Sequence, residues 1–425
     1  MIDQLGDFRL PETRQQKIKR YLLLGIVVFG GLVVLPWLNT TGRVEINTLS
    51  RLGQYMCYAI VAISLDLIWG YTGLLCLCQA LFFCLGGYAM GMYLAHHGGP
   101  EGIIDANAWG KIPACLFVVY PGEVGQSQAD WTVPFFWKPF WSLPLTILLG
   151  TIIPGIVAGI IGFFVFRSRV RGVFFAVLTQ AIVLAAFLVF NMNEVKLCGT
   201  NGLTNFDRIT LSSREKIDYN SASGPGSAPV SGALKTALEK YGREHEGVTL
   251  SETAGGFRLT VERHIHVAQT QQALSQIKLP TEDGSDIPLG SVTDSEIVGY
   301  KIRTDKQVKL GLYFITALCL LAVYLFCRKL VHTRLGRGLV AVRDNESRLR
   351  FAGYQPYQFK VFIFAVSAMI AGLGGLLYTP QKTIITPSDL QVQASILVVI
   401  WVAVGGRGTL VGAIIGAIVV NQTYY

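Results

Sequence analysis

Apolar residues in this chain come in long blocks, not in the short alternations of a soluble core. Runs of about 18 or more predominantly apolar residues can cross a bilayer as helix. They occur at Tyr21–Leu38, Leu52–Trp69, Leu74–Ala95, Leu143–Phe166, Gly172–Phe190, Leu310–Cys327, Phe359–Tyr378 and Ser395–Val420. The pattern predicts an all-α polytopic membrane protein of about eight transmembrane or re-entrant helices. Residues 213–309 interrupt it with balanced charge and the punctuation "SASGPGSAPVSG". Inside that stretch Ala233–Tyr241 reads as helix, "FRLTVERHIHV" alternates like a strand, and "VAQTQQALSQIKL" is amphipathic. A small polar inserted module is expected there, either weakly folded α/β or partly disordered. The chain then divides into an N-terminal segment 1–20, a first membrane part 21–212, the insertion 213–309, and a second membrane part 310–425 containing a polar link at 328–358.

Composition supports a membrane location. Hydrophobic residues make up 51% and charged residues only 15%, against about 25% charged in soluble proteins. The net charge of +9 does not point to nucleic acid, because its placement is that of a topology signal. Arg9, Arg14, Lys17, Lys19 and Arg20 precede the first run, Arg167, Arg169 and Arg171 fill one short link, and 328–358 is strongly basic. The positive-inside rule places the N-terminus and both links in the cytoplasm. It leaves 213–309 outside, since long translocated loops escape the bias. The first run follows polar residues and precedes further spans, so it is not a cleaved signal. The 96–142 link, with Trp109, Trp131, Trp137 and Trp141, is expected to lie on or dip into the outer interface. The chain stops at "NQTYY" directly after an apolar run, where a polar tail or further span is expected.

Little in the sequence suggests enzymatic chemistry. Cys57, Cys76, Cys78, Cys84, Cys319 and Cys327 lie in apolar runs, and the Cys76-x-Cys78 pair lacks the second pair that a zinc site needs. Cys115 and Cys198 both fall outside by this topology, which leaves a disulfide between them open. His96, His97, His264 and His266 have no carboxylate or cysteine at ligand spacing and read as surface histidines.

The most informative polar stretch is "GLVAVRDNESRLRFAGYQPYQFK", Gly338–Lys360. Asp344 or Asn345 can accept a backbone N–H at a helix start, and Glu346 suits the positive end of the helix dipole. Gly353 fits the position just past a helix, and Pro356 prevents continuation. A short helix from Glu346 to Ala352 is expected, with Arg343, Arg348 and Arg350 projecting charge and Leu349 and Phe351 facing water. A solvated loop needs no stop at either end, whereas a rigid helix with apolar knobs suits a partner's groove.

Other polar or breakable positions lie inside the apolar runs. "WGYTGLL", with Gly70 and Gly73, and "AVGGRGTLVGAIIG", with Gly405 and Gly406, place flexible backbone at membrane depth. Such backbone either lines a cavity or allows close helix packing. Arg407 in the second of these marks a break emerging at an interface. Gln79, Thr179 and Gln180 offer neutral donors and acceptors, either to a small amide-like solute or to neighbouring helices. Thr200 and Asn201 in "GTNGL" form an outer gate turn or an ordinary Asn-Gly turn. Asp66 is read as slightly more structural than functional.

The stretch "GRGLVAVRDNESRLRFAGYQPYQFKVFIFAVSAMIAGLGGLLY" resembles the coupling segment and following span of the branched-chain amino-acid-type ABC importer permeases. "WGYTGLLCLCQALFFCLGGYAMGMYL" and "VLTQAIVLAAFLVFNMNEVKLCGTNGLTNF" resemble the same family, and the glutamine, "TQA" and "GTNGLTN" look closest to its urea-transport branch. The resemblance implies a bacterial inner-membrane importer of two permease chains, two cytoplasmic ATPases and an extracytoplasmic binding protein. Arg343, Asp344, Asn345, Glu346 and Gly353 would then form the ATPase-coupling segment. ATP and magnesium would be bound by the partner subunits, with no cofactor in this chain, and no G-x-x-x-x-G-K-[ST] motif occurs in it. The insertion at 213–309 departs from the family, as does an end that falls before its last helix. The competing expectations are a branched-chain amino acid permease and an autonomous channel or carrier with an outer sensor module.

Overall fold

The computed structural model describes residues 46–98, 134–168, 172–204 and 306–424, with shorter pieces at 102–104, 111–113, 206, 208–209, 215–221, 227–244, 248–253, 256–261, 270, 273–280, 286–288, 293–298 and 300–301. The first apolar run, Cys115, Trp109, Trp131, His264 and His266 lie outside the described residues.

The apolar runs form helices α1 (Ile46–Thr72), α2 (Gln79–Gly98), α3 (Leu143–Arg167) and α4 (Val173–Asn191). After α5 (Ser227–Glu244) in the insertion come α6 (Lys306–His332), the polar α7 (Arg334–Phe351), α8 (Pro356–Lys382), α9 (Val392–Gly405) and α10 (Leu410–Tyr424). Five of the described helices are long and apolar enough to span a bilayer, or six if the bent α9–α10 pair counts as one span. The protein is therefore an all-α polytopic membrane protein with a polar insertion.

Two of the expected runs are not single helices. In Leu74–Ala95 the chain is non-helical over 73–78 and becomes helical only at Gln79. Gly73 ends α1 with a left-handed φ of 76°, and Thr179 Oγ1 accepts the Leu77 N–H at 3.1 Å, so the non-helical backbone finds a protein partner. Ser395–Val420 is broken at 406–409 and bends by 117°. The two arms pack back on each other because Gly405, Gly412 and Gly416 let their backbones touch.

α8 is the central element and packs against α1, α2 and α3. The most apolar window is 72% buried in α1 and 61% in α8, but only 22–33% in α3, α4 and α6, which keep large apolar faces on the outside. The α2–α8 crossing is close because glycines stand on both sides: Gly86 faces Gly372, and Gly375 faces the Phe83 carbonyl and Gly87. Small residues let membrane helices approach in this way where lipid gives no hydrophobic drive. Thr379 Oγ1 also donates to the Gly87 carbonyl across the crossing (3.0 Å).

The described residues of the insertion include a four-stranded sheet and a helix. Its sheet is antiparallel in the order Val248–Thr253, Gly256–Val261, Glu215–Ser221, Thr293–Val298. Gly256–Val261 alternates half-buried and buried residues, as the period of two predicts. Phe257, Leu259 and Val261 join Ile217, Tyr219, Leu234, Leu238 and Leu274 in a small core, with α5 supplying the leucines Leu234 and Leu238.

The expectation that His96 is a surface residue is corrected. Its ring is fully buried, with Nε2 3.2 Å from the Trp137 carbonyl oxygen and edge contacts to Trp137 and Trp141. Trp137 is itself buried and donates Nε1–H to the Lys196 carbonyl. The 135–141 turn thus plugs into the bundle. Cys198 is disulfide-bonded and the six other described cysteines are free.

Candidate coupling segment and transport path

α7 is two helices joined at Asn345, whose φ of −156° and ψ of 88° leave the helical region. The Asn345 side-chain oxygen accepts the Arg348 N–H at 3.1 Å, as an N-cap does. At the other end Gly353 takes a left-handed φ of 85°. Its N–H reaches the Arg350 carbonyl at 2.9 Å, and that of Tyr354 reaches Leu349 at 3.2 Å. This paired pattern satisfies carbonyls that a helix end leaves open. Pro356 then starts α8. The short helix is thus stopped at both ends, by Asn345 and Gly353.

Glu346 anchors this helix. Its carboxylate pairs with Arg350 at 2.7 Å and with buried Lys360 of α8 at 3.0 Å. Lys360, one of the basic residues at the edge of the polar link, stands second in the Phe359–Tyr378 apolar run, and the sequence does not show its partner. Phe351 is 92% exposed, between exposed Arg350 and Ala352, while Leu349 is half-buried. Arg343 turns back onto the bundle: Nε pairs with Asp344 at 2.9 Å and Nη1 donates to the Gly70 carbonyl at 3.0 Å.

Gly70 and Gly73 therefore meet the coupling segment, and the second glycine break meets them there. A Cβ on Gly70 would stand 2.7 Å from the Gly408 Cα, and one on Gly73 3.1 Å from Arg343 Cγ. Gly406 turns the hairpin with a φ of 98°, and Gly405 lies against Gly412. Gly73 and Gly406 thus sit in breaks, and Gly70 and Gly405 at backbone contacts.

Gln79 is buried in an interhelical network. Its Nε2 donates to Ser367 Oγ at 2.9 Å and its Oε1 accepts from Ser64 Oγ at 3.3 Å, while Ser367 donates to the Ser64 carbonyl at 2.6 Å. The network ties α1, α2 and α8. Gln79→Leu is expected to cost about 1 kcal/mol, the usual size of such bonds within membranes, because both serines keep a carbonyl acceptor. A thermal midpoint in detergent checks this; a loss of uptake far beyond the stability loss would indicate contact with solute. Thr179 is fully buried and bridges α4 to the 73–78 linker. Gln180 Oε1 is buried without a hydrogen-bond partner among the described residues. Thr200 and Asn201 are exposed in a short 3-10 turn, and Leu203 just after it pairs with Ile385, beyond the end of α8, through backbone bonds of 2.8 and 2.9 Å. A cavity of about 280 Å³ opens among α1, α6 and α8, lined by Ser50, Lys309, Leu312, Tyr313, Gln381 and Thr383. None of the path residues named from the sequence lines it.

A bundle of apolar helices, two of them broken by glycine and one followed by a polar capped helix, defines a multi-pass membrane protein. The chain belongs to the family described as branched-chain amino acid transport system / permease component, matched over residues 47–424. It is 26% identical over 166 residues to the high-affinity branched-chain amino acid transport system permease protein LivM of Escherichia coli K12, covering 38% of this chain and 39% of LivM. It is 27% identical over 145 residues to the ribose import permease protein RbsC of the same strain, covering 33% and 44%. The fructose import permease protein FruF of Bifidobacterium longum is 29% identical over 114 residues, covering 25% and 31%. The chain spans about two fifths of the first of these relatives. No solved structure matches it.

Proposed function

We propose that this chain is the membrane-spanning permease subunit of an ATP-binding-cassette importer that brings urea or a similar small polar solute into the cytoplasm. ATP and magnesium are handled by two separate cytoplasmic ATPase subunits. A second homologous permease and an extracytoplasmic binding protein complete the assembly. The N-terminus and the 328–358 link face the cytoplasm of a bacterial inner membrane, and 213–309 faces outward, in keeping with the placement of basic residues.

The observation that carries this reading is the capped helix 346–351 with Phe351 92% exposed. An aromatic ring held in water by a helix locked at both ends is suited to a partner's pocket, where such anchors concentrate binding energy. Phe351→Asp is expected to lower ATPase subunit co-purification about tenfold or more, equivalent to at least 1.4 kcal/mol, without shifting the chain's thermal midpoint. Undiminished co-purification and uptake would remove the docking role.

For the substrate, the "GTNGLTN" and "TQA" resemblance and the neutral amide of Gln180 support urea. The similarity to LivM supports a second reading, a branched-chain amino acid. Uptake of labelled urea and labelled leucine by the reconstituted assembly separates the two.

A further inference from the structure

The end of α1 and the hinge of the α9–α10 hairpin hold each other through reciprocal contacts. α1 stops at Thr72, so the carbonyls of Trp69 and Gly70 lack intrahelical partners and carry the negative end of the helix dipole. Arg407, in the hinge, donates Nε–H to the Trp69 carbonyl at 3.0 Å, and its guanidinium lies 5.0 Å from the centre of the Trp69 ring. Arg343 of α7 donates to the next carbonyl, that of Gly70, at 3.0 Å.

In the other direction, Asp66 lies one turn back on α1 and is fully buried. Its Oδ1 accepts the Gly408 N–H at 2.6 Å. The Tyr71 hydroxyl donates to the Gly408 carbonyl at 3.4 Å. A Cβ on Gly70 would stand 2.7 Å from Gly408 Cα and 2.6 Å from Asp66 Oδ1. The two backbones therefore touch, and Asp66 Oδ1 and Arg407 Nε each bond to the other element's backbone. A carboxylate buried at membrane depth is costly without such a donor.

We infer that Arg407 and Asp66 are positioning residues of the transport cycle, clasping the α9–α10 hinge to the end of α1 so that motion of α7, passed on by Arg343, carries the hairpin with it. This rests on the ATP-driven reading above. The bonds of Arg407 and Asp66 described above go to Trp69 and Gly408, away from the 346–351 helix, so a variant here separates docking from transmission. Packed elements with discrete arrangements transmit motion in this way.

The test uses the full assembly in proteoliposomes and measures solute moved per ATP hydrolysed. In Arg407→Gln and Asp66→Leu, the ATPase subunits should remain bound and hydrolyse ATP, while solute moved per ATP falls about tenfold. Asp66→Asn keeps an acceptor for the Gly408 N–H and should restore the ratio, which a mere charge effect would not do. An unchanged ratio in both loss variants overturns the clasp. If they fail to assemble, spin labels on α7 and α10 of the otherwise unaltered chain decide: they should move as one body between nucleotide-free and ATP-bound states, and independent movement overturns the proposal. A parent assembly that moves solute without ATP defeats the functional reading instead, and is recognised before any variant is made.

Discussion

Gly375→Ala is expected to be among the most damaging single-carbon additions to this protein. A Cβ there would overlap the Phe83 carbonyl oxygen and stand 2.8 Å from the Gly87 nitrogen. Both are helix backbone, so no side chain can swing aside; α2 and α8 must separate. That separation also stretches the Thr379–Gly87 hydrogen bond and disturbs Tyr378, whose ring packs at a tilt against those of Phe83 and Tyr58. Overpacking commonly costs about 1–3 kcal/mol, and a backbone collision belongs at or beyond the top of that range. The thermal midpoint in detergent should fall by roughly 5–10 °C, with a matching loss of membrane-extracted yield. Gly159→Ala on α3, where nothing lies within 4 Å of the added carbon, is the control and should leave the midpoint unchanged or higher. Equal behaviour of the two variants would remove the close α2–α8 crossing.

Gly416→Ala should act similarly on the hairpin. The new carbon would overlap the Trp401 carbonyl oxygen and stand 2.8 Å from the Gly405 nitrogen and 3.0 Å from its Cα. α9 and α10 can yield only by opening, which pulls at the hinge held by Asp66 and Arg407. A loss of about 2–3 kcal/mol is expected. Unlike Gly375→Ala, it should also reduce solute moved per ATP in whatever fraction remains folded. Full coupling in the folded fraction would mean that the hairpin can open without consequence for transport.

Several features were readable along the chain because they depend on near neighbours. Blocks of apolar residues mark α1, α3, α4, α6 and α8 to within a few residues. The stops of the short helix follow from the side-chain oxygen of Asn345 and the left-handed Gly353. Both act over one turn and leave a clear residue signature. Even in the insertion, the strand at Gly256–Val261 shows in its period of two.

Other features depend on distance in space. Leu74–Ala95 is predominantly apolar, yet its first part is non-helical; lipid and protein interior favour the same residues, so hydropathy does not separate them. For the same reason the pattern cannot distinguish the peripheral α4 from the central α1, or a straight span at 395–420 from a hairpin. His96 is buried because Trp137 folds over it from 41 residues away. Gln79 finds Ser367 across 288 residues, and Asp66 finds Gly408 across 342. Polar groups removed from water must meet a partner wherever the packing offers one. The chain's own pattern of greasy and charged positions therefore suffices for its membrane character and for the short capped helix. Which buried polar groups meet, and how the two glycine breaks come together, is set by helix packing, because those energies arise only between surfaces far apart along the backbone.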